Sequence, residues 1–589
     1  MLNLERKHIL PETNLPDINE LLGKGEQLSQ SISPGICPFL ITYDVKSESE
    51  YKRLRLSEGT IMLHGQIGYR SFTKSKLAYF KIYDQIEAAG YRIDRYGICL
   101  DWSMGYPAGL RANMPRGTGL ILKKKQDFID LTHSAPVAPH FGDFVIGTPA
   151  AVENTIAALE AGSTSIGNIG QYFTFRLPKW DDDVKTTAET VKAMALCANQ
   201  STDIMIHSNL DDGFAALFCD MSCSIGAVLI EQYIIEELIG GHVSHCYGHT
   251  FSDPLTRLAF QKALYQVTTT PGSMVYGNTT IFVANEVENY ANLASYLLVD
   301  IIAQRSSPTG HGLNPVPVTE AMRIPEINEI IDVHLFANRL IQRADGFQTL
   351  INMVEVERTT NVLIDAGKRF KTRVLEGLDT AGIDIKNPFE LLLAIRRIGA
   401  KKLEELFGPG EFQEGQIRNR KPIVQATPIV ELKKKSEKII SVLKQSHEEK
   451  FHQTKFKICV ACTDVHEYGK ILVEDVLKRL NYEVIDAGVS VDPDVVAKQA
   501  KEAKVDFIAI STYNGIALSY LQSLNQEISQ LGLNIPIFIG GKLNQIPVDS
   551  PTSLPVDVTD ELRTMGAIVC LQVEDMLEKI LKTTKERNQ

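Results

Sequence analysis

The 589-residue chain has no apolar run fit to cross a membrane. The stretch at 225–239 is interrupted by Glu231, Glu236 and Glu237. Its first residues, MLNLERKHIL, lack the apolar core of a signal peptide. A cytoplasmic protein with no membrane partner is therefore expected. Positive charge is in deficit, with 61 Lys+Arg against 72 Asp+Glu and a formal net charge of −11. That argues against general nucleic-acid binding. Cysteine is sparse for so long a chain: nine residues, scattered, which suits a reducing compartment rather than a disulfide framework. Cys459 and Cys462 form a CxxC, but no second CxxC stands nearby to complete a zinc site. If 456–462 is a strand, the two thiols point to opposite faces, as buried apolar residues would.

What is present is alternation. In the last third, the apolar runs FKICVAC, YEVIDAG, DFIAIST, IPIFIGG and AIVCL alternate with helical stretches such as GKILVEDVLKRL and ALSYLQSLNQEISQL. Short apolar strands separated by helices predict a doubly wound, Rossmann-like (flavodoxin-like) parallel sheet over 456–589. Ligands of such sheets bind beyond the carboxyl ends of the strands. The segment TDVHEYGK places Asp464, His466 and Gly469 there, just after the first strand.

A larger α/β alternation runs from about 59 to 320. TIMLHGQ, YRIDRYGI, APVAPHF, STSIGNIG, DIMIHSN, HVSHCYG, SMVYGN and LNPVPV are eight candidate strands, which predicts an N-terminal (β/α)8 TIM barrel. Polar residues gather where these strands end: Gln66, Arg95, Asp101, His140, Asp143, Asn168, Tyr172, His207, Asn209, Asp211, His245, His249, Asn278 and Glu320. Singly, each suits a helix cap or a loop hydrogen bond. As a set they imply a polar cavity. The domains expected are an N-terminal extension at 1–58, a barrel with a helical extension at 59–420, a charged linker at 421–455 that is part helix, and the second sheet at 456–589.

Asp464-x-His466-x-x-Gly469, followed by Ser511 after the third strand and Gly540-Gly541 after the fourth, resembles the cobalamin-binding domain of B12-dependent mutases and methionine synthase. The resemblance implies that His466 is the lower ligand of cobalt and that Asp464 holds its other nitrogen. It also implies that Gly469, Ser511, Gly540 and Gly541 receive the cofactor's nucleotide tail. Where that family has Ser-x-Leu, this chain has Ser511-Thr512-Tyr513.

Between 140 and 300 the chain looks like the large subunit of glutamate mutase (methylaspartate mutase), through Gly147-Thr148-Pro149, SIGNIGQYFTF and HVSHCYGHTFSDPLTRLAF. The resemblance implies an adenosylcobalamin-dependent carbon-skeleton isomerase acting on a small-molecule substrate, with Tyr172 beside that substrate; the strand-end residues His207 and His249 are expected to hold or polarise it, with Arg95 as an anion anchor. A homodimer is expected. At the positions of the family's substrate arginines stand Gln66, Ser103 and Val145, so a substrate other than glutamate is expected unless Arg95, Arg111 or Arg176 has taken over. The competing readings are a methylcobalamin-dependent methyltransferase, which would need a helical cap before the motif, and a cobalamin carrier or sensor.

Overall fold

The computed structural model describes residues 4–210, 218–247, 253–277, 282–320, 323–452, 455–464, 466–513, 515–546 and 555–587. The chain divides into two compact units, Met1–Thr174 with Asp181–Thr427, and Phe175–Trp180 with Pro428–Gln589. Among the described residues no helix is long and apolar enough to cross a membrane.

The first unit is built on seven parallel strands: β1 (His64–Ile67), β2 (Arg95–Ile98), β3 (Ala138–Phe141), β4 (Ser165–Ile166), β5 (Met205–Asn209), β6 (His242–Tyr247) and β7 (Met274–Val275). Their order in the sheet is their order in the chain. Crossovers between parallel strands are right-handed. With sequential order, they put the helices on one face, so the sheet curls around the other. The helices Phe72–Ala88, Ala151–Glu160, Asp183–Ala198 and Pro254–Val267 are among those crossovers. Parallel bridges join Leu63, just before β1, to Leu313, and Ser273, just before β7, to Gly310. The predicted eighth strand, LNPVPV, is therefore displaced. Pro315 and Pro317 have no N–H to give a ladder, and pairing falls instead on the residues before them.

The N-terminal 58 residues are not a separate extension. Arg6 pairs with Glu390, and Arg397 with Glu12 and Asp183, tying the start of the chain to the helix Pro388–Phe407. The helix Glu48–Ser57 starts on Ser47, whose hydroxyl accepts the Glu50 N–H at 3.1 Å. Its Glu48 and Lys52 are buried against the sheet's N-terminal end: Glu48 N–H donates to Thr164 Oγ1, just before β4, at 2.8 Å. The helix Met353–Thr380 lies close against Met221–Gln232. A Cβ on Gly367 would stand 2.7 Å from Ile225 Cγ2, which only glycine avoids.

The second unit contains β8 (Lys457–Cys462), β9 (Glu483–Gly488), β10 (Phe507–Thr512), β11 (Ile537–Gly541) and β12 (Ile568–Cys570). All pair in parallel, in the order β9-β8-β10-β11-β12. This is the doubly wound arrangement, and the chain reverses direction across the sheet between β8 and β10. Each face carries its own core. Cys459, Ile508 and Ile539 pack with Ala497, Leu521 and Leu524 on one side. Ile458, Val460 and Phe538 pack with Leu432, Ile439 and Leu477 on the other. Residues 428–452, read from sequence as linker, thus belong to this unit: the helix Thr427–His452 supplies Leu432, Ile439 and Leu443 to its core. Cys459 and Cys462 are free and buried, and burial pushes the Cys459 thiol up to about 12.

Candidate functional site

Two places collect the residues singled out from the sequence, one in each unit. The first is the hollow of the curled sheet. A cavity of about 30 Å³ there is lined by His64, Gln66, Arg95, His140, Asp143, Asn168, His207, Asn209, Tyr276 and His311, among others. Arg95 lies at its floor. Its Nε is 3.0 Å from Glu48 Oε1, an Nη donates to Ser165 Oγ at 2.9 Å, and the other Nη is 2.9 Å from His311 Nε2. His311 Nδ1 donates to the Gly312 carbonyl at 2.8 Å, which leaves Nε2 to accept from Arg95. His140 Nδ1 donates to the Ser165 carbonyl at 3.2 Å, and His207 Nδ1 sits 2.9 Å from Ser244 Oγ. His64 Nδ1 is buried and has no hydrogen-bond partner among the described residues.

Burial, and after it the nearby Arg95 charge, push His64, His140, His207 and His311 well below the ordinary histidine range. They are neutral imidazoles at pH 7. Lys52, whose own pKa burial lowers, lies 3.2 Å from Glu48. Two basic side chains thus share one carboxylate beneath a polar, water-sized space.

Several expected positions move. Arg95 opens β2 rather than ending it. It is 2% exposed and faces Glu48 at the floor, so its expected place at the mouth is corrected. The neighbouring Asp94 accepts from Tyr51, Arg92 and the Leu63 N–H, and Asp101 caps the turn at Ser103. Tyr172 does not line the cavity. Thr187 spends its hydroxyl proton on the Asp183 carbonyl, so Tyr172 donates to Thr187 Oγ1, at 2.6 Å. Arg396 lies 4.8 Å over the Tyr172 ring. His245 points to the outer face, 3.2 Å from Glu231, as strand alternation requires once Ser244 and Cys246 point inward. Arg111 is held by the Tyr106 carbonyl and Asn154, and Arg176 by Asp492 at 2.7 Å. Ser103 and Val145 are buried away from this cavity's lining, and Glu320 is exposed. Asp211, His249 and Asn278 lie outside the described residues.

The cavity also contains residues the sequence reading passed over. His64 shares a strand face with Gln66, two residues on, so alternation could have found it. His311 lies in the segment bridging the sheet edges. Glu48 and Lys52 come from the presumed extension, and no local pattern marks them as cavity-floor residues.

The second site is at the reversal point of the second unit. Register places Ser511 opposite Cys462 on one side and Gly540 on the other, so the motif's three parts lie side by side. Asp464 is 1% exposed and accepts hydrogen bonds on both oxygens. Oδ1 takes the His466 backbone N–H at 2.9 Å and His466 Nδ1 at 2.6 Å; Oδ2 takes the Thr463 hydroxyl at 3.0 Å and the Tyr513 N–H at 3.1 Å. With Nδ1 donating, Nε2 keeps its lone pair. The His466 side chain is 42% exposed. Beside it, a cavity of about 400 Å³ is lined by Gly469, Lys470, Ser511, Gly540, Gly541 and residues of the β12 end. A Cβ at Gly469 would stand 2.9 Å from Ser511 Oγ. One at Gly541, whose φ is +104°, would stand 2.2 Å from the Thr512 carbonyl oxygen. Glycine fits these close approaches within the unit itself.

Residues 457–549 match the B12 binding domain. A solved structure described as a novel cobalamin-binding protein from Desulfitobacterium hafniense DCB-2 is 18% identical, over 26% of this chain and 70% of that chain, with a TM-score of 0.20. The C-terminal unit carries a B12-binding domain. Its residues fit the cofactor: a half-exposed imidazole with a free Nε2, its tautomer set by a buried carboxylate, beside a cavity kept open by glycines.

Proposed function

We propose that the chain is an adenosylcobalamin-dependent isomerase that rearranges the carbon skeleton of a small polar or anionic substrate held within the curled sheet. The sheet itself we read as a closed (β/α)8 barrel. Support for closure comes from the segment 309–313. Gly272 N–H donates to the Thr309 carbonyl at 2.8 Å, and Leu313 exchanges hydrogen bonds with Met62 and His64 at 2.7 Å. One segment thereby serves both edges, as an eighth strand would.

The observation that carries the reading is the polar cavity in a chain with a B12-binding domain. A carrier or sensor has no use for a hollow lined by neutral imidazoles over a buried guanidinium. The methyltransferase reading needs a helical cap on the cobalamin domain. The helices Met353–Thr380 and Pro388–Phe407 pack into the first unit instead, and only Thr427–His452 joins the second. Adenosylcobalamin, held by His466 and the cavity beside it, would supply the radical chemistry of the rearrangement. The chain's own residues do the rest. Asp464 fixes His466 with Nε2 outward, the cavity beside it takes the nucleotide tail, and the imidazoles with Gln66, Asn168 and Asn209 orient a polar substrate. The excess positive charge at the floor favours an anionic group above it. Tyr172 acts by holding the turn after β4.

The test is incubation of the adenosylcobalamin holoenzyme with a panel of small carboxylic, hydroxy and amino acids, read by chromatography for 5′-deoxyadenosine and isomerised product. The reading expects both from at least one member and no 3-methylaspartate from glutamate. Transfer of a methyl group from methylcobalamin to an acceptor, with no 5′-deoxyadenosine, would replace it.

A further inference from the structure

We infer that Tyr513 is a positioning residue for His466, fixing the plane in which the imidazole presents Nε2. The inference rests on the cobalamin-binding reading of His466 and goes beyond it. The Tyr513 ring stacks on the His466 ring, with centroids 4.3 Å apart and planes 25° apart. The Lys542 ammonium lies 4.3 Å from the centroid of the same Tyr513 ring, a cation–π contact that helps hold the aromatic side chain in place.

The geometry explains why a stacked ring serves a ligand histidine. A histidine ligates through a lone pair in the plane of its ring, whereas stacking uses the face. Tyr513 can therefore stay on His466 while Nε2 is engaged. The two constraints are also complementary. The bond from Nδ1 to Asp464 fixes one atom of the ring, about which the plane can still tilt. The stack removes that tilt. His466 needs the second constraint because its side chain is 42% exposed. The same residue ties the arrangement together through its backbone, since the Tyr513 N–H donates to the other oxygen of Asp464. Leucine, which the resemblance leads one to expect at this position, offers no flat surface to an imidazole. Tyrosine and phenylalanine do.

The experiment uses the full chain labelled with ¹³C at the histidine ring, the His466 resonance being assigned by its loss in His466→Gln. In the cofactor-free protein, Tyr513→Leu should move the His466 ring proton downfield as the ring current is lost. It should also weaken hydroxocobalamin binding, followed by absorbance, by about 2- to 10-fold, the range of an aromatic pair. Tyr513→Phe should restore both. If Tyr513→Leu leaves the His466 resonance in place, or leaves the affinity within error of wild type, the inference is overturned. If wild type and His466→Gln bind hydroxocobalamin equally well, or wild type does not bind it, the reading of His466 has failed and the inference falls with it.

Discussion

At the scale of single residues, charge placement decides what each group can do. Arg95 is fully buried against Glu48, and replacing it with glutamine would leave that carboxylate facing only Lys52 in a dry floor. Arg95→Gln should cost about 3–5 kcal/mol of stability in denaturant titration of the first unit and leave cobalamin affinity unchanged. An unchanged unfolding midpoint would show that the pair contributes nothing. The buried histidines set a pH dependence. Their folded pKa lies below the unfolded value of about 6.5, so below that pH the unfolded chain binds more protons than the folded one. Stability is therefore full above about pH 6.5 and falls as the pH drops towards the folded values, each histidine contributing up to about 1.4 kcal/mol per pH unit. His334, which burial pushes down to about 4, acts in the same direction. Unfolding midpoints that stay level between pH 7 and 5 would contradict the neutral cluster. Little of this was legible beforehand. Arg95 was placed where the second strand ends, but β2 begins at Arg95 and runs on through Gly97 to Ile98. Its partner Glu48 is 47 positions away on a helix that no local pattern links to it.

Among the elements, legibility followed pattern length. The central strands of the second unit, β8 and β10, read directly because each is an apolar run buried on both faces, whereas β9 at the sheet edge exposes Glu483 and Asp486. The strands of the first unit read in the right order, although β4 and β7 pair over only two residues each. The helix Thr427–His452 was read as part helix, part linker, and its place in a core was missed because KKKSEK dominates its look, while Leu432, Ser436, Ile439 and Leu443 recur at helical spacing beneath it. Ile439→Ala should cost the second unit about 2–5 kcal/mol, read by denaturation of the full chain with a probe in that unit. A true linker residue would cost nothing. At the end of β11, Gly541→Ala would force a Cβ against the Thr512 carbonyl at a backbone angle that L residues avoid. Cobalamin affinity should drop with it, and normal affinity would show that the backbone there is not shaped for the ligand.

For the whole molecule, the account joins a polar hollow in one unit to a cobalamin-binding site in the other through one chain. The motif of the second site was legible through its resemblance to a cobalamin-binding domain, because Asp464, Ser511 and Gly540 each follow or close an apolar strand run; the stacking of Tyr513 on His466 was not. The first was legible only as a set of polar residues, since which of them turn inward depends on register and on residues from the opposite end of the unit. Everything proposed about catalysis depends on His466 replacing the cofactor's own base. Electron paramagnetic resonance of the cob(II)alamin complex, prepared with ¹⁴N- and with ¹⁵N-labelled protein, tests this most directly. The account predicts that the nitrogen splitting changes on labelling, because the axial nitrogen belongs to His466 and Asp464→Asn weakens the complex about 10- to 100-fold. A splitting that is the same in both samples would place the cofactor's own benzimidazole on cobalt and contradict it.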